Sequence, residues 1–292
     1  MSANVERQSN KKRWFFVCIA VILAVMVAFS AYWTVHGSAT LEVNEYVIQS
    51  ERLPTAFDGY KIAQISDLHN AEFGEGNEKL LAALKNTAAD AIVLTGDLVD
   101  ARRTDVGVAL RFAEKAVEIA PTYYVTGNHE MRISEYADLK TGLLDCGVTV
   151  LENEAVMIEK AGEHIRFVGL KDPACVTERD ADVAKSYIQT KLKTFEWGVD
   201  YTVLLSHRPE LFEVYVETGA DLVFSGHAHG GQFRLPKIGG LFAPGQGFFP
   251  KYDGGVYEKE QTKMLVSRGL GNSLFPFRVN NNPEIVVAVL RK

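Results

Sequence analysis

Histidines and carboxylates in this chain recur at the ends of short apolar runs, where they could bind metal ions. Five of the seven histidines stand at such positions, and only His36 and His164 do not. One histidine beside an apolar strand is more often a packed core or surface residue, but five in similar turns favour a shared role. In chain order the motifs are Asp67-x-His69, Gly96-Asp97-x-x-Asp100, Gly127-Asn128-His129-Glu130, His207 and Gly226-His227-x-His229.

The chemistry of these side chains favours a transition-metal site. Imidazole and carboxylate together suit Zn²⁺, Mn²⁺ or Fe, whereas a Ca²⁺ site would use oxygen ligands alone. Asp97 stands just past the apolar run 92–94, and Gly96 permits a sharp turn before it. Taken alone, Asp97 could equally cap a following helix. We interpret it as a carboxylate that bridges two metal ions.

Strands and helices alternate between these motifs. Apolar runs predict strands that end at each motif, over 60–65, 92–95, 122–126, 201–205 and 222–224. Apolar residues at helical spacing predict helices over 77–88, 105–120, 134–146, 180–195 and 211–216, with Asn77 as the N-cap of the first. This pattern indicates a parallel sheet, and ligands gather outside the carboxyl ends of such strands. The motifs are therefore expected to meet at one edge of the fold.

The remaining segments predict further strands and one long loop. Strands are expected over 41–48, near 149 and 156, and over 165–170, 263–267 and 285–290. Residues 232–257 are rich in glycine, proline and aromatics, which predicts a long ordered loop or hairpin region. Within it, the aromatics of 241–252 could either enter a lipid interface or cover the end of a sheet.

Taken together and in order, the motifs resemble those of the calcineurin-like metallophosphoesterase superfamily over roughly residues 60–291. The resemblance implies an α/β fold, a four-layer αββα sandwich with two mixed β-sheets, and two divalent metal ions at the sheet ends. The first ion would be held by Asp67, His69, Asp97 and His229. The second ion would be held by Asp97, Asn128, His207 and His227.

The same resemblance implies a hydrolase, with phosphodiesters expected ahead of monoesters. A hydroxide that bridges the ions would attack phosphorus in line, while His129 would contact the phosphate and assist the leaving group as a non-ligand. The net charge of −6 argues against a nucleic-acid partner. A nuclease or phosphomonoesterase on the same site, or a scaffold without turnover, are the alternatives.

Residues 66–70, 226–232 and 267–271 resemble a small, membrane-associated bacterial branch of the superfamily. Members of that branch resemble phosphodiesterases that act on phospholipid or nucleotide-lipid head groups. Two further residues could bind such a substrate. Asn70 could reach a phosphate or cap a turn, and the planar guanidinium of Arg268 could bind a phosphate or form a structural salt bridge.

The N-terminal segment predicts a membrane anchor. Residues 14–35 contain no charged side chain, and about 20 apolar residues are enough to cross a bilayer as a helix. Lys11, Lys12 and Arg13 precede the segment and Glu42 follows it, which places residues 1–13 in the cytoplasm and a catalytic domain over 41–292 outside it. The alternative is an export signal cleaved near Ala39.

Overall fold

The computed structural model describes residues 2–272 and 275–292, which form helices, two large sheets and two small ribbons. The α-helices are α1 (Ser2–Ala39), α2 (Glu78–Asn86), α3 (Val106–Val117), α4 (Tyr136–Asp145), α5 (Ala181–Leu192) and α6 (Phe212–Val216). The first strands are β1 (Glu42–Gln49), β2 (Lys61–Ile65), β3 (Ala91–Leu94), β4 (Thr122–Tyr124), β5 (Thr149–Val150), β6 (Glu154–Lys160), β7 (Glu163–Gly169), β8 (Thr202–Leu205) and β9 (Leu222–Ser225). The others are β10 (Arg234–Leu235), β11 (Gly239–Gly240), β12 (Phe242–Ala243), β13 (Gly247–Phe248), β14 (Gly255–Lys259), β15 (Thr262–Val266) and β16 (Glu284–Arg291).

Both large sheets are mixed. The first has the order β1-β16-β2-β3-β4-β5, in which only the β16–β2 pairing is antiparallel. The second has the order β14-β15-β9-β8-β7-β6, with antiparallel pairs at its two outer edges. The strand–helix–strand pattern predicted the parallel centre of each sheet. The antiparallel strands make the sheets mixed, as the family resemblance implied.

Side-chain alternation explains the four layers. On β3, Ala91 and Val93 point to the core between the two sheets, while Ile92 and Leu94 pack against α2, α3 and α4. On β9, Leu222 and Phe224 enter the same central core, and Val223 packs towards α5 and α6. These strands are buried on both faces, which is why they are continuous apolar runs in the sequence. The predicted αββα sandwich is confirmed.

Two sequence expectations for single elements need correction or refinement. Asn77 lies at the N-cap position of α2 but does not cap it, because its backbone is left-handed (φ 65°) and its Oδ1 accepts the backbone N–H of Phe73. The Asn77 side chain closes the preceding turn instead. The loop predicted over 232–257 contains the hairpins β10–β11 and β12–β13, and its last residues belong to β14 (Gly255–Lys259), an edge strand that was not predicted.

The apolar part of α1 is the candidate membrane span. Its window Lys12–Phe29 has a mean hydropathy of 2.1, and none of that window is buried against the rest of the protein. An apolar helix that no protein layer covers is stable in a lipid environment rather than in water. This window overlaps the span predicted over 14–35.

Candidate metal centre

The predicted ligands lie at the carboxyl ends of five strands drawn from both sheets. Asp67 and His69 follow β2, Asp97 follows β3, Asn128 follows β4, His207 follows β8, and His227 and His229 follow β9. All seven side chains are buried. Two glycines let these turns meet, because a Cβ on Gly127 would lie 2.2 Å from Asp97 Oδ1 and one on Gly226 would lie 1.9 Å from Ser66 Oγ.

The first group of ligand atoms comprises Asp67, His69, Asp97 and His229. The Nε2 atoms of His69 and His229 are 3.1 Å apart, and His229 Nε2 lies 3.3 Å from Asp67 Oδ1. His69 Nε2 lies 3.6 Å from Asp97 Oδ2. Two imidazole nitrogens and two carboxylates that converge in this way form a suitable donor set for one divalent ion.

The second group comprises Asp97, His207 and His227, so that Asp97 belongs to both groups. His207 Nε2 lies 3.2 Å from Asp97 Oδ2 and 3.2 Å from His227 Nδ1. His207 Nδ1 lies 2.7 Å from the carbonyl oxygen of Thr95, a contact that fixes the ring and leaves Nε2 for a ligand. Among the residues that the structure describes, the buried Oδ1 of Asn128 has no hydrogen-bond partner.

The protonation tendencies of most of these donors suit metal ions. Two donors depart from this: burial lowers the pKa of His207 but Asp97 raises it to about 10, and burial raises the pKa of Asp67 to about 6. Burial lowers the pKa of His69 to about 3, and burial also holds the pKa values of His227 and His229 well below their ordinary range. Burial alone would raise the pKa of Asp97, but His207 and His129 lower it well below its usual value. Neutral imidazole and ionised carboxylate are the forms that bind metal. With the unpartnered Asn128 Oδ1, these donors fit two divalent ions.

Several candidate ligands also have strained backbones. Positive φ angles occur at Asp67 (53°), His69 (47°), Asp97 (53°), His227 (66°) and His229 (48°). Left-handed backbone in residues other than glycine costs on the order of 1–3 kcal/mol and persists where the surroundings enforce it, often at functional sites. The turns therefore hold these side chains inward at an energetic cost.

His129 lies beside the ligands and faces a cavity. Its Nδ1 accepts the backbone N–H of Ala101 at 3.0 Å, so the neutral ring carries its proton on Nε2. The cavity of about 420 Å³ is also lined by Asp97, Asn128, Arg132 and Arg208. His129 additionally forms a third possible ligand group with His69 and Asp100.

Three supporting side chains were missed or undervalued by sequence reasoning. Glu130, which the sequence analysis placed in a motif without assigning it a role, is fully buried and accepts backbone N–H groups from Gly127, Asp97, Leu98 and Val99. Arg208 forms two hydrogen bonds with Asp172 and lies 3.1 Å from His227 Nε2. Arg278 is fully buried, 3.5 Å from His229 Nδ1. Glu130 beside His129 and Arg208 beside His207 gave a local signal, whereas Arg278 had none.

The two residues predicted to contact substrate, Asn70 and Arg268, both form hydrogen bonds within the protein. Arg268 donates to Glu42 and Glu284 at 2.7 Å each, which is the structural salt bridge that the sequence left open. Asn70 Nδ2 donates to the carbonyl oxygen of Arg103 at 2.5 Å. Neither residue lines the cavity that contains His129. Their assignment to substrate binding stays a prediction.

A four-layer sandwich with histidine, aspartate and asparagine donors at its sheet ends defines a class of metal-dependent hydrolases. Residues 60–231 match the family model described as calcineurin-like phosphoesterase, and the chain belongs to that family. It is therefore a metal-dependent phosphoester hydrolase, of a family that uses two divalent ions.

Three relatives show the extent of the likeness. The chain is 29% identical over 256 residues to the metallophosphoesterase YkuE of Bacillus subtilis, covering 86% of each chain. It is 27% identical over 241 residues to the phosphodiesterase YaeI of Escherichia coli, covering 79% of this chain and 82% of that one. It is 28% identical over 281 residues to the transmembrane protein with metallophosphoesterase domain of Bos taurus, covering 92% of this chain and 62% of that one. The last relative and helix α1 together favour membrane association.

Proposed function

We propose that the protein is a membrane-anchored phosphodiesterase whose substrate is a lipid-linked phosphodiester. The observation that carries this proposal is the convergence of seven buried donor side chains beside an open cavity. A relative named as a phosphodiesterase supports the choice of diesters over monoesters. We further propose residues 14–35 as the anchor, with residues 1–13 in the cytoplasm and the catalytic domain, residues 41–292, outside.

The two ions would share Asp97. Asp67, His69 and His229 would complete the first site, whereas Asn128, His207 and His227 would complete the second. When bound, such ions supply an activated water nucleophile and neutralise charge on phosphoryl oxygens. The donor set is compatible with Mn²⁺, Zn²⁺ or Fe.

His129 is proposed as the catalytic residue that acts on the leaving group. Because Ala101 occupies its Nδ1, the Nε2–H of His129 is the free donor, and the ring lines the cavity. A donor held there can give a hydrogen bond or its proton to the departing ester oxygen. Glu130 holds the turn that carries both His129 and Asp97, through its bonds to Gly127 and Asp97.

The lining of the cavity supports an anionic substrate. Arg102, Arg132 and Arg208 line it, and their planar guanidinium groups match phosphate oxygens. Each also pairs with a carboxylate, Asp100, Glu178 and Asp172 respectively, which neutralises part of that charge. Pro244 and Gly245 also line the cavity.

The test compares esters on the full chain purified in detergent, stripped with a chelator and reloaded with Mn²⁺. We expect hydrolysis of an aryl phosphodiester with a higher kcat/KM than the matching aryl phosphomonoester, and no turnover before reloading. Asp145→Asn, at the exposed end of α4, is the control and should retain wild-type turnover. Absence of turnover on both esters after reloading would overturn the proposal.

A further inference from the structure

The two hairpins that follow the last candidate metal ligands carry solvent-exposed apolar side chains. We call residues 234–249, which contain β10 to β13, the double ribbon. Within it, Ile238 is 65% exposed, Phe248 is 72% exposed and Phe249 is 62% exposed. Exposed apolar side chains in a segment that also lines a cavity, here through Pro244 and Gly245, indicate an interaction site. The sequence had left open whether these aromatics cover a sheet end, and Phe248 and Phe249 do not.

The double ribbon is held rigidly at its base. Asp253 accepts hydrogen from the backbone N–H of Gly240 at 2.5 Å and pairs with Arg234 at 3.1 Å. Gln246 and Tyr252 bond to each other through two hydrogen bonds, of 2.8 and 2.9 Å. These contacts fix β11 and the turn between β12 and β13, and so hold both hairpins of the double ribbon in place.

The sequence of the double ribbon and its flanks is basic. Residues 232–252 contain Arg234, Lys237 and Lys251 and no aspartate or glutamate, in a protein with a net charge of −6. In the fold, Arg234 pairs with Asp253 and Lys251 with Glu213, so these two cations are partly neutralised by neighbouring carboxylates. Basic residues interleaved with aromatics are typical of segments that contact the head groups and upper acyl region of anionic bilayers. The partner that this composition fits is an anionic lipid surface.

The topology brings the membrane anchor to the same edge of the fold. β1 is parallel to β16, and β16 is antiparallel to β2, with Val286 opposite Gln64. The beginning of β1 therefore lies at the carboxyl end of β2, where Asp67 and the metal centre are. Because α1 ends at Ala39 and β1 begins at Glu42, the anchor joins the domain at the edge that carries the site.

We infer that the double ribbon inserts into the surface of the bilayer in which α1 is anchored, so that the cavity opens onto lipid head groups. About 6 Å of helix separates residue 35, the end of the proposed anchor, from Ala39, which keeps this edge close to the bilayer. Pro244 and Gly245, in the turn between β12 and β13, also line the cavity. The inference rests on the proposed function for the identity of the substrate, but insertion itself does not depend on turnover.

Insertion is tested on the full chain in nanodiscs of phosphatidylglycerol and phosphatidylcholine. Cys18, Cys146 and Cys175 are replaced by alanine, and an NBD label is placed through Phe248→Cys or, as the matched control, Val199→Cys. Val199 is 78% exposed and lies before β8, at the opposite edge of the sheets. We expect nitroxide-labelled lipid to quench the label at position 248 and not at 199. Equal quenching at both positions, or no quenching at position 248, would overturn the inference. Absence of quenching at 248 would favour a protein as the partner of the double ribbon instead.

A second measurement separates insertion from catalysis. In Phe248→Ser/Phe249→Ser, turnover of a phosphodiester held in the nanodisc should fall about tenfold or more, because removal of buried aromatic area weakens partition by that order. Turnover of a water-soluble aryl diester should be unchanged, as should both activities in Val199→Ser. Equal loss on both substrates would contradict insertion. If the wild type hydrolysed neither diester, the proposed function would fail, while the quenching result would still decide insertion.

Discussion

His129 and the metal ligands have separable roles at the scale of single residues. His129→Gln should leave the metal content unchanged, because the proposed ligand sets do not include His129. It should lower kcat by about 10²–10⁴, the usual contribution of a positioned acid or base. Elemental analysis and steady-state kinetics on the same preparation check both expectations. Loss of one ion per chain would instead identify His129 as a ligand with His69 and Asp100.

Arg268 provides the second test at this scale. Arg268→Ala should lower the free energy of unfolding by about 3–5 kcal/mol, because it leaves the buried carboxylate of Glu284 without its guanidinium. KM for the aryl diester should not change. Urea unfolding and kinetics measure the two effects, with Arg291→Ala at the exposed Asp58 pair as the control. An increased KM with unchanged stability would assign Arg268 to substrate binding.

The sequence was informative about residues that sit in short motifs and silent about those that act across the fold. Asp67, Asp97 and the histidines follow apolar runs, so that local spacing alone placed them at strand ends. Arg278 reaches the site through a contact distant in sequence, to His229, and Arg208, although it follows His207, is held there by the distant Asp172. No local pattern carries such information, because it depends on which strands become neighbours.

At the scale of elements, hydrophobic periodicity predicted the helices and most strands to within a few residues. It could not predict β10 to β13, because two-residue strands with glycine and proline between them have no period. Nor could it divide the strands between two sheets, since that division depends on pairing between distant segments. The wrong cap at Asn77 has the same origin, because its side chain bonds backward to Phe73.

Glu152, which connects α4 to the end of β7, gives a prediction about how stability depends on pH. Burial would raise the pKa of Glu152, but hydrogen bonds from Lys140, Lys171 and Tyr136 lower it below its ordinary value of 4.5. The folded state therefore favours the ionised carboxylate. Its contribution to stability is present above pH 4.5 and is lost as the pH falls through the lowered pKa.

Glu152→Gln should accordingly be less stable than the wild type at pH 7, and its free energy of unfolding should vary less with pH below 4.5. Urea unfolding of chelator-treated protein measures this without a contribution from metal binding. Glu118→Gln, in the exposed pair with Lys115, is the control and should follow the wild type. A parallel pH dependence in Glu152→Gln and the wild type would contradict the assignment.

At the scale of the whole molecule, the sandwich brings three functions to one edge. The strand ends of both sheets supply the donors, the double ribbon supplies an apolar surface, and the start of β1 attaches the anchor. The opposite edge carries the turns before β3, β4 and β8 and none of the predicted ligands. In the proposed arrangement, this polarity would orient the domain with its reactive edge towards the bilayer.

Asp97 is central to the proposed metal centre, as the carboxylate that the two ions would share. The direct measurement is the number of metal ions per chain, by elemental analysis of chelated and Mn²⁺-reloaded protein freed of excess metal. We predict two ions per chain in the wild type and in Asp145→Asn, and fewer than one in Asp97→Asn at the same protein concentration. Two ions retained in Asp97→Asn, or a single ion in the wild type, would contradict the shared site.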